Sequence, residues 1–251
     1  MRRSVNFRLM RPRFRADRCP FATVPPIDMP IDIGQRASIC GAMTPDELAH
    51  HVPRLHHYTD RVAWPMIERH GLLCADAIVE RFVPDPAARG RLLAERRTDT
   101  VVVHDGPDGR VTLNDNLPLH YGPLAARLDD GLTPHDWLRI LNGRVFFWPT
   151  VERADGFLRA GRRGGREKLL LTFDTRSLAE AYEGRLDLAP INTGSAVRVP
   201  ARRGHATFTP ASAVGWDEWR RLRGRLDTPA EMSVRGDVPD ALDHLIERRE
   251  V

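Results

Sequence analysis

Three short segments carry side chains whose types and spacing could act together. In "LHHYTD", residues 55–60, a strand places His57 and Thr59 on one face and Tyr58 on the other, because successive side chains alternate across a β-strand. An imidazole beside a hydroxyl suits the grip of a ribose hydroxyl or a carboxamide. The plainer alternative is a core strand whose polar atoms find backbone partners. In "GRVFFWP", residues 143–149, Arg144 precedes Phe146, Phe147 and Trp148. Such rings stack on a flat heterocycle such as nicotinamide or a base, and an arginine binds a diphosphate; the alternative is core packing beside a solvated cation. In "AEMSVRGDVP", Glu231 opens a run that alternates with period two. A carboxylate at the start of a strand can bond a ribose hydroxyl and stabilise positive charge building on a sugar carbon as its leaving group departs, as glycosidase carboxylates do. Taken alone, Glu231 also reads as a surface residue.

Other chemistries lack their signatures. No GxGxxG, GxxxxGK[ST] or GxSxG pattern is present, and no Cys/His pair stands in a recognisable frame. The histidine pairs at 50/51 and 56/57 fit neither HExxH nor HxH, so no metal site is expected. Cys19, Cys40 and Cys74 are odd in number and lack CxxC spacing, which suits a reducing, cytoplasmic compartment and argues against a disulfide framework or zinc.

These side chains need strands and helices to position them. Thr44 reads as an N-cap with Pro45 in the first turn and Glu47 completing a capping box. Pro53 stops that helix, and an extended run follows. Asp60 then caps a helix over "RVAWPMIERHGLL", whose start Pro65 moves to about Trp64 and whose stop is Gly71. A surface helix is predicted over "PDPAARGRLLAERR" and a hairpin over "DTVVVHDGPDGRVTL". Two short helices follow, the second capped by Thr133 with Asp136 three residues on. Strands are predicted over "GRVFFWP", "EKLLLTFDT", "HATFTP" and "AEMSVRG", with helices over "TVERADGFLRA", "RSLAEAY", "GWDEWRRLR" and "VPDALDHLIERRE". Interleaved helices, strands and hairpins define an α+β class.

The 251 residues suffice for one domain with a full core plus an extension. With 41% hydrophobic and 29% charged residues, and no apolar run near the ~20 residues a membrane helix requires, no membrane association is expected. The net charge of +4 is misplaced for a nucleic-acid-binding core: residues 1–20 hold seven arginines against Asp17, a net of +6, so the rest sums to −2. Residues 1–42 are Arg- and Pro-rich and without period. They read as a disordered extension, with a transit peptide, a polyanion-binding tail or a start at Met43 as alternatives. Residues 43–251 form the single folded domain. Beyond the tail, only "GRRGGR" and "WRRLRGR" offer a basic edge.

"LHHYTD...WPMIERHGLL" resembles the opening motif of the ADP-ribosyltransferase superfamily, in which a strand ending in His-x-Thr or His-Tyr-Thr leads into a helix and "GL". "AEMSVRGDVPDAL" resembles the superfamily's closing strand, in which the catalytic Glu precedes alternating apolar residues, a Gly turn and "VP". The nearest kinds are the DarT-type DNA ADP-ribosyltransferases and a bacterial family sharing "LNGRVFFWP". The likeness spans about residues 53–246, and only these motifs are specific. It implies a split β-sandwich of two small sheets flanked by helices, and a glycosyltransferase that uses NAD as substrate and no metal. It implies that His57 contacts the adenosine ribose of NAD, that Thr59 and adjoining residues including Tyr58 hold the nicotinamide side, that the Phe147–Trp148 strand lies by the ring, and that Glu231 is catalytic. DarT-type enzymes also use an arginine, for which Arg144 is the candidate, with Arg139 and Arg81 as alternatives. The sequence departs from better-known members at the second strand, where aromatics replace Tyr or Ser, and over residues 83–130. The acceptors the resemblance leaves open are a DNA base, an RNA group, a protein side chain or water, and a toxin or phage-defence effector with an antitoxin partner is one role it allows. An RNA 2'-phosphotransferase and a non-catalytic nucleotide- or protein-binding module on the same scaffold are the alternatives.

Overall fold

The structure is a computed structural model and describes residues 41–106, 109–155, 167–223 and 228–251. Most of the expected extension, the basic loop "GRRGGR", the end of "WRRLRGR" and the later part of the helix predicted from Thr150 lie outside the described residues.

Along the chain, caps and breakers set most boundaries. Helix α1 (Pro45–His51) starts at Thr44, whose Oγ1 accepts from the Glu47 amide at 3.1 Å. Strand β1 (Arg54–Asp60) follows Pro53. A short 3-10 turn then leads into α2 (Trp64–His70), with Pro65 in its first turn and Gly71 ending it at φ 68°. Asp60 does not cap this helix as predicted. Its buried carboxylate pairs with Lys168, the only lysine of the chain. Helices α3 (Ala75–Phe82), which has no strong signal in the sequence, and α4 (Pro86–Ala94) precede the hairpin β2 (Val101–Gly106) and β3 (Gly109–Leu113). Next come α5 (Tyr121–Ala125) and α6 (Pro134–Asn142); a full Thr133–Asp136 capping box opens α6. Strand β4 (Arg144–Phe147), a helical start at residues 151–155, β5 (Lys168–Asp174) and α7 (Thr175–Ala181) lead to β6 (Leu186–Ala189). Strand β7 (Thr209–Pro210), α8 (Trp216–Arg223), β8 (Glu231–Arg235) and β9 (Leu245–Glu250) complete the order.

Four further predictions are corrected. The last segment is not a helix: a 3-10 turn at Ala241–His244 runs into β9, which pairs antiparallel with β5, so strand pairing overrides the helix preference of its Glu and Arg residues. "HATFTP" is mostly a 3-10 turn with a two-residue strand, and "LDLA", in a stretch predicted irregular, is β6. Among the described residues there are three sheets rather than two: β1-β5-β9, β4-β8-β6-β7, and the β2-β3 hairpin.

The two larger sheets share one core. Leu55, Leu169, Leu171 and Phe173 of the first meet Val145, Phe147, Leu188, Met232 and Val234 of the second in a single buried cluster. The other face of the four-stranded sheet carries Ala189 and Phe146 against Trp137, Leu138 and Phe208. Between the sheets, β1 and the end of β4 meet at a single isolated bridge. The His56 amide donates to the Trp148 carbonyl at 2.9 Å, and the Trp148 amide to the His56 carbonyl at 2.8 Å.

Candidate functional site at the junction of the two sheets

That bridge brings two of the three segments into register. Trp148 follows Phe147, which pairs with Met232, so Glu231 lies one step beyond Met232 at the same end of the strand pair. His57 closes the contact from the β1 side, its Nδ1 donating to the Phe146 carbonyl at 2.8 Å. A carbonyl only accepts, so the proton sits on Nδ1 and Nε2 is left as an acceptor. Burial lowers the His57 pKa below the ordinary imidazole value, and Lys168 acts in the same direction while the Phe146 carbonyl opposes. The ring is therefore neutral at pH 7, deep in the packing with part of its surface open. Thr59 occupies the same strand face, partly exposed and opposite Leu169.

The other predicted residues are distributed differently. Tyr58 packs on the opposite face with Trp148, Ala154 and Leu170, and its hydroxyl donates to Asp155 at 2.6 Å. Phe147 is fully buried, its ring 5.9 Å from His57 and 5.5 Å, edge-on, from Phe173. It backs the histidine and presents no surface to a ligand. Arg144 is paired with Arg235, at the far end of β8 from Glu231, a separation of about 13 Å along a strand. Its guanidinium contacts Asp187 at 3.2 Å and the Ile140 carbonyl at 3.0 Å, and lies 4.1 Å from the Phe208 ring centre. Arg235 shares the same carboxylate at 3.3 Å. Arg144 is thus committed to a buried ion cluster away from the junction. Arg81 contacts His70 at 2.7 Å, and Arg139 acts on Asp76.

Glu231 is 6% exposed. Its Oε2 accepts from the Thr193 amide at 3.0 Å and from the Thr193 hydroxyl at 2.7 Å. Burial raises its pKa above the usual carboxylate range, opposed by the two Thr193 bonds and by the charges of Arg203 and Arg153. A buried carboxyl bonded by two donors and acted on by two cations can bond a hydroxyl, exchange a proton or, in its ionised form, face a developing positive charge. Thr193 and Arg203 lie in a stretch without periodicity, and Arg153 in the helix that leaves β4. None of the three positions carries a sequence signal beyond being polar.

The first and last motifs meet away from the carboxylate. Leu72 and Val238 exchange backbone hydrogen bonds at 2.9 and 2.8 Å, and Asp237 accepts from the Cys74 amide at 2.8 Å. A Cβ on Gly71 would lie 2.3 Å from the Val238 carbonyl oxygen, so only glycine fits under "GDVP". Burial pushes the Cys74 thiol up to about 12, which removes it as a thiolate nucleophile. Within the basic segment "WRRLRGR", Arg220 pairs with Asp217 at 3.4 Å, and Arg223 contacts Thr209 at 2.5 Å. Among the described residues, no group of three or more His, Cys, Asp or Glu could hold a metal ion, and no helix is long and apolar enough to cross a membrane.

Fold and site together define a mixed α+β protein of small antiparallel sheets, with a buried, donor-held glutamate opening β8 and a histidine of β1 bonded to β4 near the same end of the strand pair. Residues 53–245 match DUF7002, a family of unknown function, and the chain belongs to that family. No curated protein and no solved structure gives a significant match.

Proposed function

We propose that this protein is an NAD-dependent ADP-ribosyltransferase that transfers ADP-ribose to a macromolecular acceptor, on a split β-sandwich of the ADP-ribosyltransferase kind. The observation that carries the reading is the register β1–β4–β8, which sets Glu231 and His57 on either side of one strand end. In this reading Nε2 of His57 accepts from a hydroxyl of the adenosine ribose, Thr59 faces the nicotinamide side, and Glu231 bonds the nicotinamide ribose. The bond between the ribose C1' and the nicotinamide nitrogen breaks with its electron pair leaving on nicotinamide. Positive charge grows on the ribose and is stabilised by the Glu231 carboxylate. The acceptor's lone pair then closes on C1', and its proton passes to the carboxylate or to water. Phe147 supports His57 from behind, Tyr58 and Trp148 brace the opposite face, and Arg144 stays structural. Arg153 and Arg203 are the arginines that act on the carboxylate.

A second reading, a nucleotide-binding module without turnover, has one observation in its favour: the low exposure of Glu231, 6%. One assay separates the two. Purified protein is given NAD labelled in the adenylate phosphate, with single-stranded DNA, duplex DNA, RNA or bacterial extract. Wild type transfers label to one class of acceptor, and Glu231→Gln does not. NAD binding without transfer or nicotinamide release supports the module, and equal transfer by the two proteins overturns the enzyme. Expression in bacteria checks the toxin version: wild type arrests growth, Glu231→Gln is tolerated, and harmless wild-type expression contradicts it.

A further inference from the structure

The segment from Thr193 to Arg203 is tied by one guanidinium. Arg203 is 2% exposed, yet it forms no side-chain ion pair within 4 Å among the described residues. Nη1 donates to the carbonyls of Thr193 at 3.2 Å and Ser195 at 3.0 Å, and Nε donates to the Ala201 carbonyl at 3.2 Å. The guanidinium carbon lies 5.8 Å from the Trp137 ring centre, and the Trp137 indole N–H also donates to the Thr193 carbonyl at 3.2 Å. The backbone at 203 is fixed as well, its amide on the Arg127 carbonyl at 2.9 Å and its carbonyl on the Asp129 amide at 2.8 Å. Closing an ordinary surface loop needs no buried cation, and burying one is costly unless dipoles and an opposite charge compensate. Three carbonyls supply the dipoles, and the charge acting on Arg203 is that of Glu231.

Thr193 stands between the two. Its carbonyl accepts from Arg203 and Trp137, while its amide and hydroxyl donate to Oε2 of Glu231. We propose that Arg203 is a positioning residue: it locks Thr193 so that both Thr193 donors hold Oε2 and Oε1 is left to face the substrate. What the carboxylate then does rests on the proposed function; the positioning does not.

The test uses the full chain with Arg203→Met, Arg203→Lys and Thr193→Val. Without NAD, carbon-detected NMR of glutamate-labelled protein follows the Glu231 carboxyl, assigned with Glu231→Gln, and hydrogen exchange follows the Thr193 amide. Arg203→Met is expected to speed exchange at Thr193 about tenfold or more and to move the Glu231 titration upward, as loss of a charged hydrogen-bond partner implies. Arg203→Lys keeps the charge but not the three-carbonyl geometry, so it frees the Thr193 amide while moving the titration less. Thr193→Val leaves every contact of Arg203 in place and moves the titration upward through loss of the hydroxyl alone. It tests the Thr193–Glu231 link alone, and Arg203→Lys is the arm that decides if Arg203→Met does not fold. An unchanged Glu231 titration in Thr193→Val, or unchanged Thr193 exchange in folded Arg203 variants, overturns the proposal. With NAD, Arg203→Lys is expected to lower kcat about tenfold with little change in KM. If the NAD-free readouts move while no form of the protein acts on NAD, the positioning stands and the proposed function fails.

Discussion

His57 and Glu231 are displaced in opposite directions by one cause, burial, which disfavours the charged form of each. For Glu231 the native state binds its proton more readily than the unfolded chain. Its contribution to stability is therefore fully present below the ordinary carboxylate range and is lost as pH rises through the raised native value. Glu231→Gln removes that dependence, so thermal melts from pH 4 to 8 should show the variant gaining on wild type as pH rises; a constant difference contradicts the displacement. In the proposed reaction the ionised carboxylate is the working form, so the acid limb of the kcat profile should lie above the usual carboxylate range. For His57, and for His56 held by Thr172 at 3.2 Å, the lowered pKa means stability is present above the ordinary imidazole value and lost as pH falls through the depressed one. In the proposed function the neutral ring is the form that accepts from a ribose hydroxyl. His57→Ala should raise KM for NAD about tenfold, the loss expected for one buried hydrogen bond, while changing kcat less. A purely structural histidine would leave KM unmoved in the folded variant. The strand positions of His57, in the middle of β1, and of Glu231, at the opening of β8, were legible in the sequence because local breakers and alternation mark both strands. Thr193 and Arg203 were not, since what makes them matter is a fold that carries residues 193–203 onto β8.

Elements bounded by proline, glycine and capping residues were legible to within a residue or two. Pro65 and Gly71 delimit α2, and Thr133 with Asp136 opens α6. The misread ones have tertiary causes. "LIERRE" has a helical composition, yet it supplies the third strand of a sheet, with Arg248 lying 4.4 Å from the Trp64 ring and Glu250 pairing with Arg61 at 3.4 Å. "LDLA" is four residues long and buried throughout, too short for a period to show. The joint between the opening and closing motifs yields a prediction. Gly71→Ala meets both a positive φ and the backbone of Val238, so it should cost roughly 2 kcal/mol or more in chemical denaturation. Stability equal to wild type would place the Gly71–Val238 contact in error.

At the scale of the whole molecule, α+β architecture followed from the alternation of signals, whereas the number of sheets did not, because pairing partners are chosen by contacts distant in sequence. Strand β5 illustrates this: it is central, with β1 on one side and β9 on the other. Removing residues 245–251 would bare one edge of a strand whose central residues 169–173 are all buried, so the truncated protein should aggregate or lose its cooperative melt. A monomer with an unchanged Tm would show β9 to be dispensable. The functional account depends on one further relation of the whole fold, that two sheets meeting at a single bridge hold an NAD-binding histidine and a reacting glutamate together. Nicotinamide release from NAD at saturating concentration, measured alongside NAD affinity for wild type and Glu231→Gln, addresses it most directly. The account predicts that wild type releases nicotinamide and that the variant binds NAD with similar affinity while releasing it at least about a hundredfold more slowly. Equal release by the two proteins, or no NAD binding by wild type, would contradict it.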